Sequence, residues 1–430
     1  MRQLLKNAMI YTPDGVIEDG FVAVDDDTIE AISAARPMGE FDCEKDMSGK
    51  LLLPGLVNGH THISMTLLRG VGTDLPLQKW LFDEIFPVEA RLTEEDIAAG
   101  ANLAMLEMLS SGTTSFSDMY FYSDRLAETI CRSGMKANIC QHVQSFDAAD
   151  RYSDNSFARK MESLYKNWHG EGNGRIRVDA CLHGEYTCFS EDVASGVAAF
   201  AKDNDLHMHV HMSETASEHR ECQERRGGLT PAGWFNKMGV FDVPCSAAHS
   251  IWVNDEDMTL MAEKGVTAVH NPSSNMKLGS GFAPIPVMVE KGVRVALGTD
   301  GAASNNNLDM MEELHLASII HNGRHCDATL LPAKTMIGIA TRNGALAQGR
   351  EDTGVLEAGK KADIIAIDMD KPHLYPCLDA AGLVTYAAQG SDVCMTMVDG
   401  RILYENGEYL TLDREKIMAE AKNAVARLYK

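Results

Sequence analysis

The chain has 430 residues, 45% of them hydrophobic and 23% charged, with a formal net charge of −23. That length and apolar share predict a well-cored soluble protein with one large domain and a smaller one. The acidity, without any basic run or patch, argues against nucleic-acid binding, and the lack of any run of about 18 uncharged apolar residues argues against a membrane span.

From the first residues onward, "NAMIYTPDGVIEDGFVAVDDDTIEAI" has β-branched runs broken by Pro-Asp-Gly and Glu-Asp-Gly, which predicts short strands and turns. The same texture returns in "GKKADIIAIDMD" and "CMTMVDGRILYENGEYLTL". The two ends are therefore expected to form one small β-sandwich domain, residues 1–54 plus 352–430, closed by a helix around Asp413–Tyr429. The start, "MRQLLKNAMIYTPDG", does not read as a signal peptide, and none of the ten cysteines forms a CxxC pair. Mostly buried free thiols in a reducing, cytoplasmic setting are expected.

Between the ends, over residues 55–351, short apolar strands alternate with helical stretches. One helix is well marked. Thr93, Glu94, Glu95 and Asp96 resemble a capping box, apolar residues follow at helical spacing, and Gly112 stops it. Eight strand candidates end near His62, Asp118, His142, His183, His211, His249, His270 and Asp300. Eight βα units predict an α/β fold, a (β/α)8 TIM-like barrel. Every predicted strand end carries a His or Asp, and barrel enzymes place their chemistry at the carboxyl ends of strands.

The first of these ends, "NGHTHISMTLLRG", sets His60 and His62 on one face of a strand, because side chains alternate. "HMHVHMSET" does the same for His207, His209 and His211, with His211 nearest the loop and Glu214 three residues on. "SAAHSI" ends in His249 and its flanking residues, and "VRVALGTDGAASNN" carries Asp300 among glycines. Each has a plainer reading when taken alone: hydrogen-bonded histidines, a polar barrel layer, a helix cap at Asp300. Together, histidines and an aspartate on strands one, five and eight could converge on one divalent ion. Three or four protein ligands plus water make an open catalytic site. His and Asp ligands suit zinc first, with Fe2+ or Mn2+ as alternatives.

Five motifs occur in order: "PGLVNGHTH", "HVHMSET", "AAHSI", "HNPSSNMKLGSG" and "LGTDGAASNN". They resemble the amidohydrolase superfamily, most closely its 5′-methylthioadenosine/S-adenosylhomocysteine deaminase branch, over essentially the whole chain. The resemblance implies a metal held by His60, His62, His211 and Asp300, with His249 on the attacking water and Glu214 as proton shuttle. It implies substrate contacts from Glu214 and Asp300, from His183 in "CLHGEYTC", and from Trp80 and Glu89 in "LPLQKWLFDEIFPVEARLTEED", with Glu89 on the ribose hydroxyls. The implied reaction is hydrolytic deamination of adenosine-type nucleosides: 5′-methylthioadenosine, S-adenosylhomocysteine, adenosine or 5′-deoxyadenosine. Alternatives are a deaminase or chlorohydrolase of guanine, a pterin or an s-triazine, and a non-catalytic metal- or nucleoside-binding relative. A homo-oligomer, dimer or tetramer, is implied as well. The family reads the amino-acid carboxylate of S-adenosylhomocysteine with arginines after strand three. Here "FDAADRYSDNSFARKMES" offers Arg151 and Arg159, and neither aligns securely. "MTLLRG" and "HNPSSNMKLGSG" are expected to line the pocket, and Ser304, Asn305 and Asn306 to shape the turn after Asp300.

Overall fold

A computed structural model describes every residue except Ser123 and Lys430. Eight βα units follow one another, and we number their strands in chain order: one (Leu56–Thr61), two (Thr113–Tyr120), three (Lys136–Gln141), four (Ala180–Leu182), five (Met208–Met212), six (Cys245–His249), seven (Thr267–His270) and eight (Arg294–Leu297). All their ladders are parallel. A short strand, Ile176–Val178, pairs with strand three immediately before strand four begins.

The ladders fall into two sheets. Strands one to three and Ile176–Val178 make a four-stranded sheet, and strands four to eight make a five-stranded one. Hydrogen bonds outside the ladders span both seams. Asp179 N–H donates to the Ile139 carbonyl at one seam, and Asp300 N–H donates to the His60 carbonyl (2.9 Å) at the other. The mixed α/β architecture is of the TIM-barrel type that the alternation of strand and helix predicts.

The predicted strand ends lie within a few residues of the observed ones. His249 and His270 close strands six and seven, and His142 and His183 follow strands three and four directly. Asp118 sits two residues inside strand two, and Asp300 lies three residues past strand eight. The marked helix runs Glu94–Ser110, with Thr93 and Asp96 forming the capping box. Two glycines permit close approaches beneath the site. A Cβ on Gly298 would lie 2.8 Å from the His60 nitrogen, and one on Gly100 would lie 2.3 Å from the Ser64 carbonyl oxygen. Side chains there would push strand eight off strand one and the helix off the turn that follows His62.

Strands from both chain ends join one nine-stranded sheet. Lys50–Pro54 pairs with Arg2–Thr12 on one edge and antiparallel with Ile364–Asp368 on the other, so the backbone laces the two ends together. In hydrogen bonding it is one continuous sheet. Leu5, Ile10, Val22, Ile29, Ile364 and Met397 share its apolar core. The last helix, Arg414–Leu428, is capped by Asp413, and its Ala421, Ala424 and Leu428 join a core with Ala101, Ala104 and Met105 of the barrel's first long helix. Lys136, buried at the start of strand three, bridges Asp363 and Asp399 of the sheet at 2.6 Å each. All ten cysteines are free, and five of them are buried. Among the described residues no helix is long and apolar enough to cross a membrane.

Candidate active site

Strand register brings His60, His62, His211 and Asp300 to one point. His60 Nε2 and His62 Nε2 lie 3.4 and 3.3 Å from Asp300 Oδ1, and His211 Nε2 lies 3.3 Å from His62 Nε2. One donor atom from each of His60, His62 and His211 lies within 4.8 Å of the others, and the same holds for His60, His249 and Asp300.

The outer ring nitrogens are tied down. His211 Nδ1 donates to the His183 carbonyl (2.7 Å), and His62 Nδ1 donates to the Met119 carbonyl. His60 Nδ1 pairs with His209 Nε2 (3.0 Å), and His249 Nδ1 with Asn275 Oδ1 (2.8 Å). This leaves the Nε2 atoms facing inward, the orientation that supporting hydrogen bonds impose on metal-binding imidazoles. Asp300 is held likewise: Oδ2 accepts from Ser274 and Ser304 hydroxyls at 2.7 Å each, while Oδ1 faces the rings. Asp300 and His249 both have left-handed backbones, with φ of 60° and 70°, a strain that functional sites often carry.

Burial pushes His60 down to about 4 and drives His211 well below the usual histidine value. Burial also opposes charge on His62, but the Asp300 carboxylate outweighs it and pushes His62 up to about 9. Burial likewise opposes charge on Asp300, yet His60 and His62 hold it well below the carboxylate range. Three inward imidazole nitrogens and an ionised carboxylate oxygen could together hold a divalent metal ion. His60 Nε2 is fully buried without a hydrogen-bond partner, a deficit that a cation would relieve.

Glu214 and His249 stand beside this set, with His249 Nε2 3.8 Å from Glu214 Oε2. Glu214 Oε1 accepts from the Ser280 hydroxyl (3.1 Å), and burial raises the Glu214 pKa against the pull of His249. Both open onto a cavity of about 640 Å³ that also reaches Trp80, Glu89 and His183. Glu89 Oε1 accepts from the Tyr120 hydroxyl (2.7 Å), and burial raises its pKa. The Trp80 indole donates to the Val71 carbonyl (3.1 Å), which fixes the ring at the wall. His183 Nδ1 is paired with the Thr187 hydroxyl at 3.2 Å.

Ser304 was expected only to shape a turn; it binds the Asp300 carboxylate and lines the cavity. Met65 lines the cavity as well, while Leu68 is packed in the core. Arg151 and Arg159 are engaged elsewhere, Arg151 with Asp192 (3.2 Å) and Arg159 with Glu162 (2.7 Å). Sequence reasoning missed Tyr120, the partner of Glu89, and the aromatic wall formed by Phe82, Phe86, Phe121, Phe146 and Phe157. Tyr120 carried a signal: it lies two residues past Asp118, on the same face of strand two.

The model of the amidohydrolase family matches residues 51–403. The 5-methylthioadenosine/S-adenosylhomocysteine deaminase of Dictyoglomus thermophilum is 42% identical over 433 residues, covering 100% of each chain. The 5′-deoxyadenosine deaminase of Methanothermobacter thermautotrophicus is 43% identical over 414 residues, 96% of each chain. An adenosine deaminase from Xanthomonas campestris, solved with bound zinc, superposes with a TM-score of 0.93 at 33% identity, covering 99% of this chain and 98% of that one. With the histidine–aspartate cluster at its strand ends and matches of this length, the chain belongs to the amidohydrolase family.

Proposed function

We propose that the protein is a metal-dependent aminohydrolase that converts adenosine-type nucleosides to their inosine analogues and ammonia. The observation that carries this reading is the placement of Glu214, His249 and Asp300 around one end of a cavity whose wall also holds Glu89. The deaminase names of its full-length relatives support the same chemistry. On this reading the two parallel sheets are halves of one eight-stranded barrel spanning residues 55–351, and residues 1–54 with 352–430 form the smaller domain.

His60, His62, His211 and Asp300 would hold one divalent cation, with zinc the first choice because the Xanthomonas neighbour carries it. Such an ion, when bound, supplies acidification of water to a pKa of about 7. The protein's own groups do the rest. Asp300, ionised and steadied by two serines, takes the proton of the attacking water. Glu214, whose pKa burial raises, holds a proton for the purine ring nitrogen beside the attacked carbon. His249, oriented by Asn275, faces the oxygen that adds there and stabilises its developing charge. The proton on Asp300 then passes to the amine, the C–N bond breaks and ammonia leaves, and the added hydroxyl gives its remaining proton to Glu214 as the carbonyl forms, which restores both carboxyl groups.

Glu89 accepts one hydrogen bond from Tyr120 and keeps its other oxygen for the ribose hydroxyls. A ring-only substrate such as guanine, a pterin or a triazine would leave that buried carboxylate unpaired. The test is ammonia release and the accompanying ultraviolet change on adenosine, 5′-deoxyadenosine, 5′-methylthioadenosine, guanine and a triazine, with metal analysis of the same sample. Turnover of the ring-only compounds with none of the nucleosides would overturn the reading.

A further inference from the structure

Three α-helices of this chain open on a capping box whose third helical residue is acidic. In two of them that residue is an aspartate whose carboxylate turns back to the N-cap. Asp96 accepts from the Thr93 N–H at 2.8 Å, and Asp257 from the Asn254 N–H at 3.1 Å. The third helix, Ala216–Arg225, carries Glu218 there, with Thr215 as its N-cap. This carboxylate serves the cap weakly, since the Thr215 N–H lies 3.5 Å away. Its shorter bonds run to residues before the helix. Oε2 accepts from the Glu214 N–H at 2.7 Å and Oε1 from the Ser213 N–H at 2.9 Å. The extra methylene of glutamate carries the acceptor upstream, past the cap and onto the backbone of Glu214.

Successive N–H groups from Ser213 to Thr215 thus converge on one buried carboxylate. Ser213 has a left-handed backbone to allow it, with φ of 50°. Its hydroxyl is buried without a hydrogen-bond partner, so the turn is held through its backbone. The Ser213 carbonyl accepts from the N–H groups of Ile251 and Trp252, at 3.0 and 2.9 Å, in the loop that follows His249. The Trp252 indole donates to the Ser280 carbonyl at 2.8 Å, and the Ser280 hydroxyl donates to Glu214 Oε1 at 3.1 Å. Glu214 is therefore held twice, at its backbone by Glu218 and at its carboxyl by Ser280. The helix has a separate anchor, because Arg225 and Arg226 at its far end both pair with buried Glu185, at 2.6 and 2.7 Å.

We infer that Glu218 is a positioning residue for the deamination: it sets the backbone from which Glu214 reaches the cavity, and so the place of the Glu214 carboxyl beside His249. The inference rests on the proposed role of Glu214 in moving a proton. A side chain one methylene shorter would keep the helix cap, as the two aspartate boxes do, and release the N–H groups of Ser213 and Glu214. The released turn lets the Glu214 carboxyl shift from the ring nitrogen it must reach, and a catalytic group misplaced by ~1 Å can lose ~100-fold in rate.

The experiment uses the full-length, metal-loaded protein and measures kcat and KM for adenosine and 5′-deoxyadenosine from ammonia release, with kcat expressed per bound metal. The unaltered protein, Glu218→Asp, Glu214→Gln and the double variant form a cycle. We expect Glu218→Asp to lower kcat by ~10-fold or more with KM within ~3-fold, and to cost less than ~3-fold when Glu214→Gln is already present. Glu218→Gln, which keeps the side-chain length and one acceptor oxygen, goes through the same cycle, so that if one variant does not fold the other decides. A smaller loss of kcat, a loss confined to KM, or a loss that persists in the Glu214→Gln background overturns the inference and leaves the deaminase reading in place. Failure of both variants to fold does the same, since it makes Glu218 a residue of the fold. No ammonia from the unaltered protein with either nucleoside overturns the deaminase reading and the inference with it.

Discussion

The two ends of the cavity are built differently. At the inner end the polar side chains are held by hydrogen bonds, from backbone or from neighbouring side chains. His62 is fixed by the Met119 carbonyl, His211 by the His183 carbonyl, and Asp300 by its own N–H on the His60 carbonyl. At the outer end, Phe82 and Phe86 come from the connection after strand one, and Phe146 from the one after strand three. Phe82 and Phe86 meet edge to face, Phe146 meets Phe189 in the same way, and no ring has a hydrogen-bond frame. The inner groups sit at or just past the ends of parallel strands, whereas loops can exchange side chains without disturbing those strands. The difference teaches that reaction type and substrate choice are carried by separable parts of one cavity.

The sharpest way to break this comparison is to empty the inner end. Dialysis against a strong chelator should abolish ammonia release, and adding back zinc should restore it; full activity in a metal-free sample would show that the cluster is structural only. Next in size, Asp300→Asn should cost ~1,000-fold or more in kcat/KM and should lower bound metal, because on the proposed reading this carboxylate serves as both ligand and base. Glu214→Gln should cost about 100-fold with metal content unchanged, which separates proton delivery from metal holding. A Glu214→Gln protein that loses its metal would place that residue in the wrong part.

Moving outward, 2′,3′-dideoxyadenosine should be poorer than adenosine by ~100-fold, because on the proposed reading the free oxygen of Glu89 would be left without its ribose partners. Equal turnover of the two would remove Glu89 from that task. The smallest effect concerns stability. Glu313 accepts from Asn305 Nδ2 (2.8 Å) and from the Ser273 N–H (3.2 Å), directly behind the serines on Asp300. Burial pushes its pKa from 4.5 up to about 8. Between those values the folded protein retains a proton that the unfolded chain has lost, so stability falls as pH rises across that window. Thermal unfolding should therefore show a melting temperature that declines from about pH 5 to about pH 8, and Glu313→Gln should flatten that decline. An equal slope in both proteins would remove Glu313 from the effect.

Much of the inner end could be read from the chain alone. Spacing by two put His60 and His62 on one face, and polar residues at the ends of apolar strands pointed to a common rim. The family motifs then grouped His211, His249 and Asp300 with them. The supporting bonds were much less visible. Nothing in the spacing of Ser274 or Ser304 says that both hydroxyls reach one carboxylate oxygen, since that depends on two different loops meeting beside strand eight. The aromatic wall was hidden for the same reason. Phe157 belongs to a helix and Phe121 follows strand two, and each reads locally as ordinary core.

By itself, then, the sequence determined the alternation of strand and helix and the residue types at the strand ends, because these follow from local periodicity and side-chain chemistry. Only the tertiary structure decided which nitrogen of each imidazole faces inward, which hydroxyls brace Asp300, and which aromatic rings meet along the cavity wall. Those properties belong to distances between segments far apart in the chain, and local pattern holds no record of them.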